Sequence, residues 1–166
     1  MIKTERLILK PLTSEDEKVV SELFTDDTVK KTYLLPDFKD AEQLHNYFNR
    51  ILALSNGNDR YLLGIYINNG TELVGIINDT GLERYESAEI GYALLPRYFN
   101  NGYATEAFGG MIKFLKDVGY KKVVAGAFEE NKASIRVMEK CGLVPKNESE
   151  KLEYRGKEHT VIYYFI

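Results

Sequence analysis

Residues 94 to 106 read Leu94-Leu95-Pro96-Arg97-Tyr98-Phe99-Asn100-Asn101-Gly102-Tyr103-Ala104-Thr105-Glu106. An apolar strand ends at a proline, a polar loop follows, and Gly102 opens an amphipathic helix. This stretch constrains the fold more than any other, because it demands a sheet edge and a helix N-terminus side by side. The first turn of a helix leaves backbone N–H groups without intrahelical partners, and these groups attract anions. Glycine at the start lets a phosphate come close to the backbone. The layout predicts a cradle for a phosphorylated small molecule.

The rest of the chain alternates between strand and helix patterns. Arg6 to Leu12 reads as a buried first strand. Thr13 or Ser14 caps a helix running to Thr25, with Glu15, Asp16 and Glu17 placed where the helix dipole favours acids. Asp26 to Asp37 is irregular. Leu44, Tyr47, Phe48, Ile51 and Leu54 recur at helical spacing and predict a second helix over Asp40 to Leu54, followed by a break at Ser55 to Arg60. Tyr61 to Ile67 and Glu72 to Thr80 read as strands joined by Asn68-Asn69-Gly70, a hairpin signal. A polar break at Glu83 to Ser87 precedes a strand over Ala88 to Leu95. Tyr103 to Val118 carries Ala104, Ala107, Phe108, Met111, Ile112 and Leu115 on one helical face and stops at Gly119. A strand over Lys121 to Phe128, a helix over Asn131 to Cys141 closed by Gly142, and two strands turning at Arg155-Gly156-Lys157 complete the chain. No linker interrupts this order, so a single domain over residues 1–166 is expected. The fold class is α/β (α+β), a mixed and mostly antiparallel sheet of about seven strands flanked by about four helices.

Composition narrows the function. The chain has 22 basic and 25 acidic residues and a net charge of −3, which argues against nucleic-acid or membrane-surface partners. One cysteine, Cys141, excludes an intrachain disulfide and a cysteine-rich zinc site. His45 and His159 lie too far apart for metal-ligand spacing, so no metal is expected. The first residues hold no long apolar run and no stretch approaches a membrane span, so no signal peptide is expected and a cytoplasmic location is the expectation by elimination. The nucleotide motifs Gly-x-x-x-x-Gly-Lys-Ser/Thr and Gly-x-Gly-x-x-Gly are missing, as is a Gly-x-Ser-x-Gly elbow.

Gly102-Tyr103-Ala104-Thr105-Glu106-Ala107, then Asn131-Lys132-Ala133-Ser134, then Glu139-Lys140-Cys141-Gly142-Leu143 together resemble the GNAT acetyltransferase superfamily. Thr4-Glu5-Arg6-Leu7-Ile8-Leu9 and Ala88-Glu89-Ile90-Gly91-Tyr92 resemble the branch that holds ribosomal-protein N-terminal acetyltransferases and relatives acting on polyamines and small amines. Two positions depart from the superfamily pattern. Phe99 stands where Arg or Gln is frequent. Met138 stands where many members carry a tyrosine as general acid, and that role does not carry over.

The resemblance implies acetyl transfer from acetyl-CoA to an amine-bearing acceptor, a peptide N-terminus or a small molecule, without a covalent enzyme intermediate. Backbone N–H groups of Asn101, Gly102, Tyr103, Ala104 and Thr105 would hold the pyrophosphate. Leu94 and Leu95 would lie where the strand splays, leaving backbone groups for the pantetheine arm and the thioester carbonyl. Arg97 would add charge near the phosphates or else be a solvated loop residue. Asn131 would bond the pantetheine arm, cap its helix, or do both. Ser134, one turn on, would donate to the departing thiolate or simply allow close packing. The attacking amine must be neutral, and Glu89 is the candidate base, on one strand face with Gly91 and Ala93; a water chain from Glu89 or Tyr92 would serve equally. A surface glutamate at a strand start is the other reading. Cys141 packs at its helix end. Monomer and homodimer are both compatible with the sequence.

Overall fold

The hydrophobic periodicities resolve into eight strands and four α-helices in a computed structural model that describes residues 1–83 and 86–166. In chain order these are β1 (Ile2–Lys3), β2 (Ile8–Lys10), α1 (Glu17–Thr25), α2 (Ala41–Asn56), β3 (Leu62–Ile67), β4 (Glu72–Glu83), β5 (Ser87–Leu94), α3 (Tyr103–Val118), β6 (Lys122–Phe128), α4 (Lys132–Lys140), β7 (Val144–Tyr154) and β8 (Lys157–Phe165). The sheet order is β1-β2-β3-β4-β5-β6-β8-β7, antiparallel except between β5 and β6. The parallel pair is joined through α3, as a parallel connection requires. No helix among the described residues is long and apolar enough to cross a membrane.

The expected first strand is shorter than its apolar run. Ile8–Lys10 pairs back onto Ile2–Lys3 through a turn closed by Thr4, whose N–H donates to the Leu7 carbonyl at 3.0 Å. This raises the strand number from seven to eight. The helix expected from Thr13 begins as a 3-10 turn at Ser14–Asp16, where Asp16 Oδ2 accepts from the Thr13 N–H at 2.7 Å. The second helix runs two residues past Leu54, because Ser55 is buried and its hydroxyl ties Leu12 N to Leu62 O at 2.8 and 2.7 Å. The polar break at Glu83 to Ser87 falls on Arg84 and Tyr85, outside the described residues, while Glu83 and Ser87 themselves are strand.

Alternation along the strands feeds two cores, one on each face of the sheet. Ile65, Ile77, Ile90, Leu94, Val123 and Ala125 face α3 and α4, which supply Phe108, Met111, Leu115 and Met138. Ile76, Ala93 and Leu95 face α1 and α2, which supply Val20, Leu23, Phe24 and Phe48. The β7–β8 hairpin reaches over the second face. Tyr154 Oη donates toward the carbonyls of Lys30 and Tyr33 at 2.8 and 3.2 Å, and Arg155 pairs with Asp37 at 2.6 Å. The irregular segment between α1 and α2 is thereby pinned beside the end of β5.

Candidate active site

β5 and β6 stay paired for three positions, Ser87↔Lys122, Ala88↔Val123 and Glu89↔Val124, and then part. Beyond Glu89, β5 pairs only with β4, ending at Gly75↔Leu94, while β6 pairs only with β8. Gly75 helps to draw β5 away. A Cβ there would stand 2.1 Å from the Ala93 carbonyl oxygen, so only glycine permits this approach. The result is a wedge between Ile90–Leu94 and Ala125–Phe128. It opens four residues earlier than Leu94, where the sequence places the splay.

A cleft of about 520 Å³ lies at the end of β5, between α4 and the segment that precedes α2. Its walls are Tyr92, Ala93 and Leu94 of β5, the turn at Tyr98–Asn100, the first turn of α3, one face of α4 and the segment from Thr28 to Thr32. The turn is built for backbone exposure. Pro96 opens a 3-10 turn, Asn100 has φ 62° and Gly102 has φ 78°. α3 begins at Tyr103 with no side chain capping it, so its first N–H groups remain available beside Gly102, Tyr103, Ala104 and Thr105 on the cleft wall.

Asn131 caps α4 and touches Ser134 twice. Its Oδ1 accepts from Ser134 N at 3.2 Å, and its Nδ2 donates to Ser134 Oγ at 3.1 Å. Both residues line the cleft. The Tyr92 hydroxyl lies 3.3 Å from the same Oγ, and its ring meets Phe108 edge-on with centroids 5.9 Å apart. Burial pushes the Tyr92 phenol up, against a smaller lowering from the Ser134 hydrogen bond, so it keeps its proton at neutral pH. Met138 is 2% exposed and belongs to the core, not to the cleft.

Three other sequence candidates stand apart from this constellation. Leu95 is fully buried in the α1/α2 core and its N–H donates to Val74 O at 2.9 Å, so it offers the cleft neither side chain nor donor. The Arg97 guanidinium pairs with Glu22 and lies 5.0 Å over the Tyr98 ring; it is not on the cleft wall. The Asn101 side chain folds back onto the carbonyls of Tyr98 and Phe99. Cations reach the cleft from elsewhere. Arg136 and Lys140, one turn apart on α4, and Lys31 on the opposite wall all line it. Among the described residues none of these three is ion-paired. The i, i+4 spacing of Arg136 and Lys140, in phase with Ala133 and Val137, is the sequence signal that identifies them.

Glu89 sits on the other side. Alternation places it with Gly91 and Ala93 on the α1/α2 face, half-buried. Tyr163 lies nearby, its ring covering Gly126. Burial, its hydrogen bond to Glu150 and the charges of Glu150 and Glu89 all raise the Tyr163 phenol. Tyr33 donates to Asn78 Oδ1 at 2.9 Å, across from Gly91 on the neighbouring strand. The Tyr92 and Ser134 hydroxyls thus lie on the α3/α4 face of β5 and Glu89 on the α1/α2 face, with cations on both walls of the cleft. Among the described residues no group of three or more His, Cys, Asp or Glu could hold a metal ion. Cys141 is half-buried beside Thr105, and burial raises its thiol.

The comparisons with known proteins agree with this architecture. A family profile described as the acetyltransferase (GNAT) domain matches residues 6–144. The uncharacterized N-acetyltransferase YoaA of Bacillus subtilis is 29% identical over 144 residues, covering 86% of this chain and 81% of YoaA. The crystal structure of a GNAT-family acetyltransferase from Bacillus anthracis is 29% identical with a TM-score of 0.85, over 99% of this chain and 96% of that one. RimL, a ribosomal L7/L12 alpha-N-protein acetyltransferase solved with coenzyme A, shares the fold at a TM-score of 0.82 and 18% identity, over 98% and 94% of the two chains. With the family domain matched over most of its length, the chain belongs to the GNAT acetyltransferase family and is an acyltransferase.

Proposed function

We propose that the chain moves the acetyl group of acetyl-CoA to a primary amine by direct attack in a ternary complex. The acceptor is a protein N-terminal α-amine, a polyamine or another small amine. The wedge between β5 and β6 carries this reading. It leaves the edge of β5 unpaired from Ile90 on, beside a cation-rimmed cleft with an open helix N-terminus and on the strand that carries Glu89. That RimL was solved with coenzyme A supports the choice of donor.

In this reading the pyrophosphate sits at the first N–H groups of α3. Lys31, Arg136 and Lys140 supply the neutralising charge that Arg97 does not. The free backbone edge at Ile90–Leu94 pairs with the pantetheine arm and polarises the thioester carbonyl. The amine arrives from the Glu89 face. An α-amine has a pKa near 8 and an alkyl amine one near 10.4, so at neutral pH the acceptor must lose a proton, and Glu89 takes it directly or through water. On the opposite face Tyr92 and Ser134 hydrogen-bond the departing thiolate. A thiol pKa of about 8.5 lies below that of tyrosine, so this pair lends a hydrogen bond more than a whole proton. The amine adds to the thioester carbonyl as Glu89 takes its proton, and the tetrahedral intermediate collapses with loss of the thiolate toward Tyr92 and Ser134.

Steady-state kinetics with an accepted amine test the assignment. Tyr92→Phe and Ser134→Ala each lower kcat by about tenfold with KM for acetyl-CoA little changed, below the roughly 10²–10⁴-fold of full general-acid catalysis, as a hydrogen bond to the thiolate rather than a proton transfer requires. Wild-type kcat in both variants would remove the pair from the mechanism.

A further inference from the structure

The N-terminal strand pair reaches the turn before α3 through Arg6 and the Glu106 carboxylate. Glu106 lies in the first turn of α3, yet its side chain turns away from the open N–H groups. Its Oε1 accepts from Thr4 Oγ1 and from Arg6 N, both at 2.6 Å, and its Oε2 accepts from Arg6 Nε at 2.7 Å. The same guanidinium donates through Nη1 to the Asn101 carbonyl at 2.9 Å. It also lies 5.0 Å from the Tyr103 ring centroid. Its Nη2 is 3.2 Å from the place a Cβ on Gly102 would take. One side chain therefore meets Asn101, Gly102 and Tyr103 in succession. Thr4 is fixed in its turn, since its Oγ1 accepts from Leu7 N at 3.1 Å.

These contacts resolve an electrostatic conflict. The helix dipole favours an acid at Glu106, but a bare carboxylate there repels any phosphate bound at the same helix end. The Glu106 side chain is 15% exposed. Burial pushes its carboxyl up, and the hydrogen bonds from Thr4 and Arg6 outweigh this and hold it below the ordinary range. The group is thus an anion permanently matched by Arg6.

We propose that Thr4, Arg6 and Glu106 form a positioning clamp that holds the Asn100–Tyr103 turn in its left-handed form and cancels the Glu106 charge that would oppose a diphosphate there. The proposal rests on the reading of the cleft as a CoA site. Arg6 touches no reacting atom; it acts through the turn.

The test is a double-mutant cycle read with two ligands. CoA, which carries the diphosphate, is titrated calorimetrically into wild type, Arg6→Ala, Glu106→Gln and the double variant. Pantetheine, which lacks the diphosphate, is followed by ligand-observed NMR, and thermal melting monitors folding. Arg6→Ala should weaken CoA binding by about tenfold, the size expected for an unmatched charge at a helix end. Glu106→Gln should cost less, and the double variant should recover part of the Arg6→Ala loss. Pantetheine affinity should not change. Equal losses for CoA and pantetheine, or a double variant no better than Arg6→Ala, would show a merely structural tie and overturn the clamp. Should Arg6→Ala fail to fold, Arg6→Lys keeps the cation without the two-pronged geometry; it should show a smaller loss confined to CoA, and an unchanged CoA affinity there overturns the proposal. A wild-type protein that does not bind CoA overturns the cleft reading itself, a result separable from the others.

Discussion

Gly102 opens α3 at φ 78° and ψ 0°. An alanine there meets a backbone penalty of about 1–2 kcal/mol for the left-handed conformation. Its Cβ would also stand 3.2 Å from the Arg6 guanidinium, which bridges the same turn to Glu106. Valine adds a β-branch, for which positive φ is a genuine outlier. The turn can escape by swinging residue 102 to negative φ, and the adjacent N–H groups then rotate out of the cleft. The strain is therefore either kept, lowering stability, or released, lowering affinity. If alanine's penalty passes wholly into binding, it weakens CoA by about five- to thirtyfold, since 1.4 kcal/mol is a factor of ten. Calorimetric CoA titration of Gly102→Ala and Gly102→Val, with thermal melting on the same samples, measures both branches. Both variants should fold, with the larger loss of affinity in valine. A folded Gly102→Val with both wild-type CoA affinity and a wild-type melting temperature would refute the reasoning and remove this turn as the pyrophosphate cradle.

Three further outcomes follow from named contacts. Glu89→Gln should lower kcat about a hundredfold with an alkyl amine, with rate recovering as pH rises toward the amine's own pKa, whereas an unchanged pH profile would assign the base elsewhere. Ser55→Ala leaves the Leu12 N–H and the Leu62 carbonyl unpaired in a buried site and should cost about 2–4 kcal/mol in urea unfolding; a loss within about 0.5 kcal/mol, the range of surface substitutions, would contradict it. Asp79 is 2% exposed, and its Oδ1 has no hydrogen-bond partner among the described residues. Burial raises its carboxyl despite the Tyr61 N–H at Oδ2. An acid whose pKa is higher folded than unfolded holds more protons in the native state, so this group makes stability fall as pH rises from about 4 through its raised value. Asp79→Asn should remove that slope and raise the melting temperature at neutral pH; an unchanged slope would place the titration elsewhere.

Legibility in the sequence depended on whether a signal was local. α3 was readable to the residue because Gly102 and Gly119, both at positive φ, bracket a helical apolar face. The final hairpin was readable because Arg155 and Gly156 both take positive φ at its turn. β1 was not, since two residues carry no period. In the cleft, Asn131 and Ser134 were legible as a cap and its neighbour on one helix. The partner of Ser134 was not, because Tyr92 lies 42 residues away and strand parity gives a face, not a distance. Arg97 reads either as a phosphate contact or as a solvated loop residue, and its pairing with Glu22, 75 residues earlier, has no local mark. Leu95 read as part of the splay, but the tight approach at Gly75 carries the end of β5 into the opposite core. Long-range charge pairing and strand divergence are tertiary facts with no short-range mark.

The central claim is that this cleft presents a thioester to an amine across the β5–β6 wedge. It is tested most directly by incubating the protein with acetyl-CoA and a panel of peptide N-termini, polyamines, amino acids and aminoglycosides, and measuring free CoA thiol. Thiol release with at least one primary amine is expected, matched by acetylated product and diminished in Glu89→Gln. Tight CoA binding with no thiol release for any amine would contradict it and would favour a non-catalytic CoA-sensing module on the same fold.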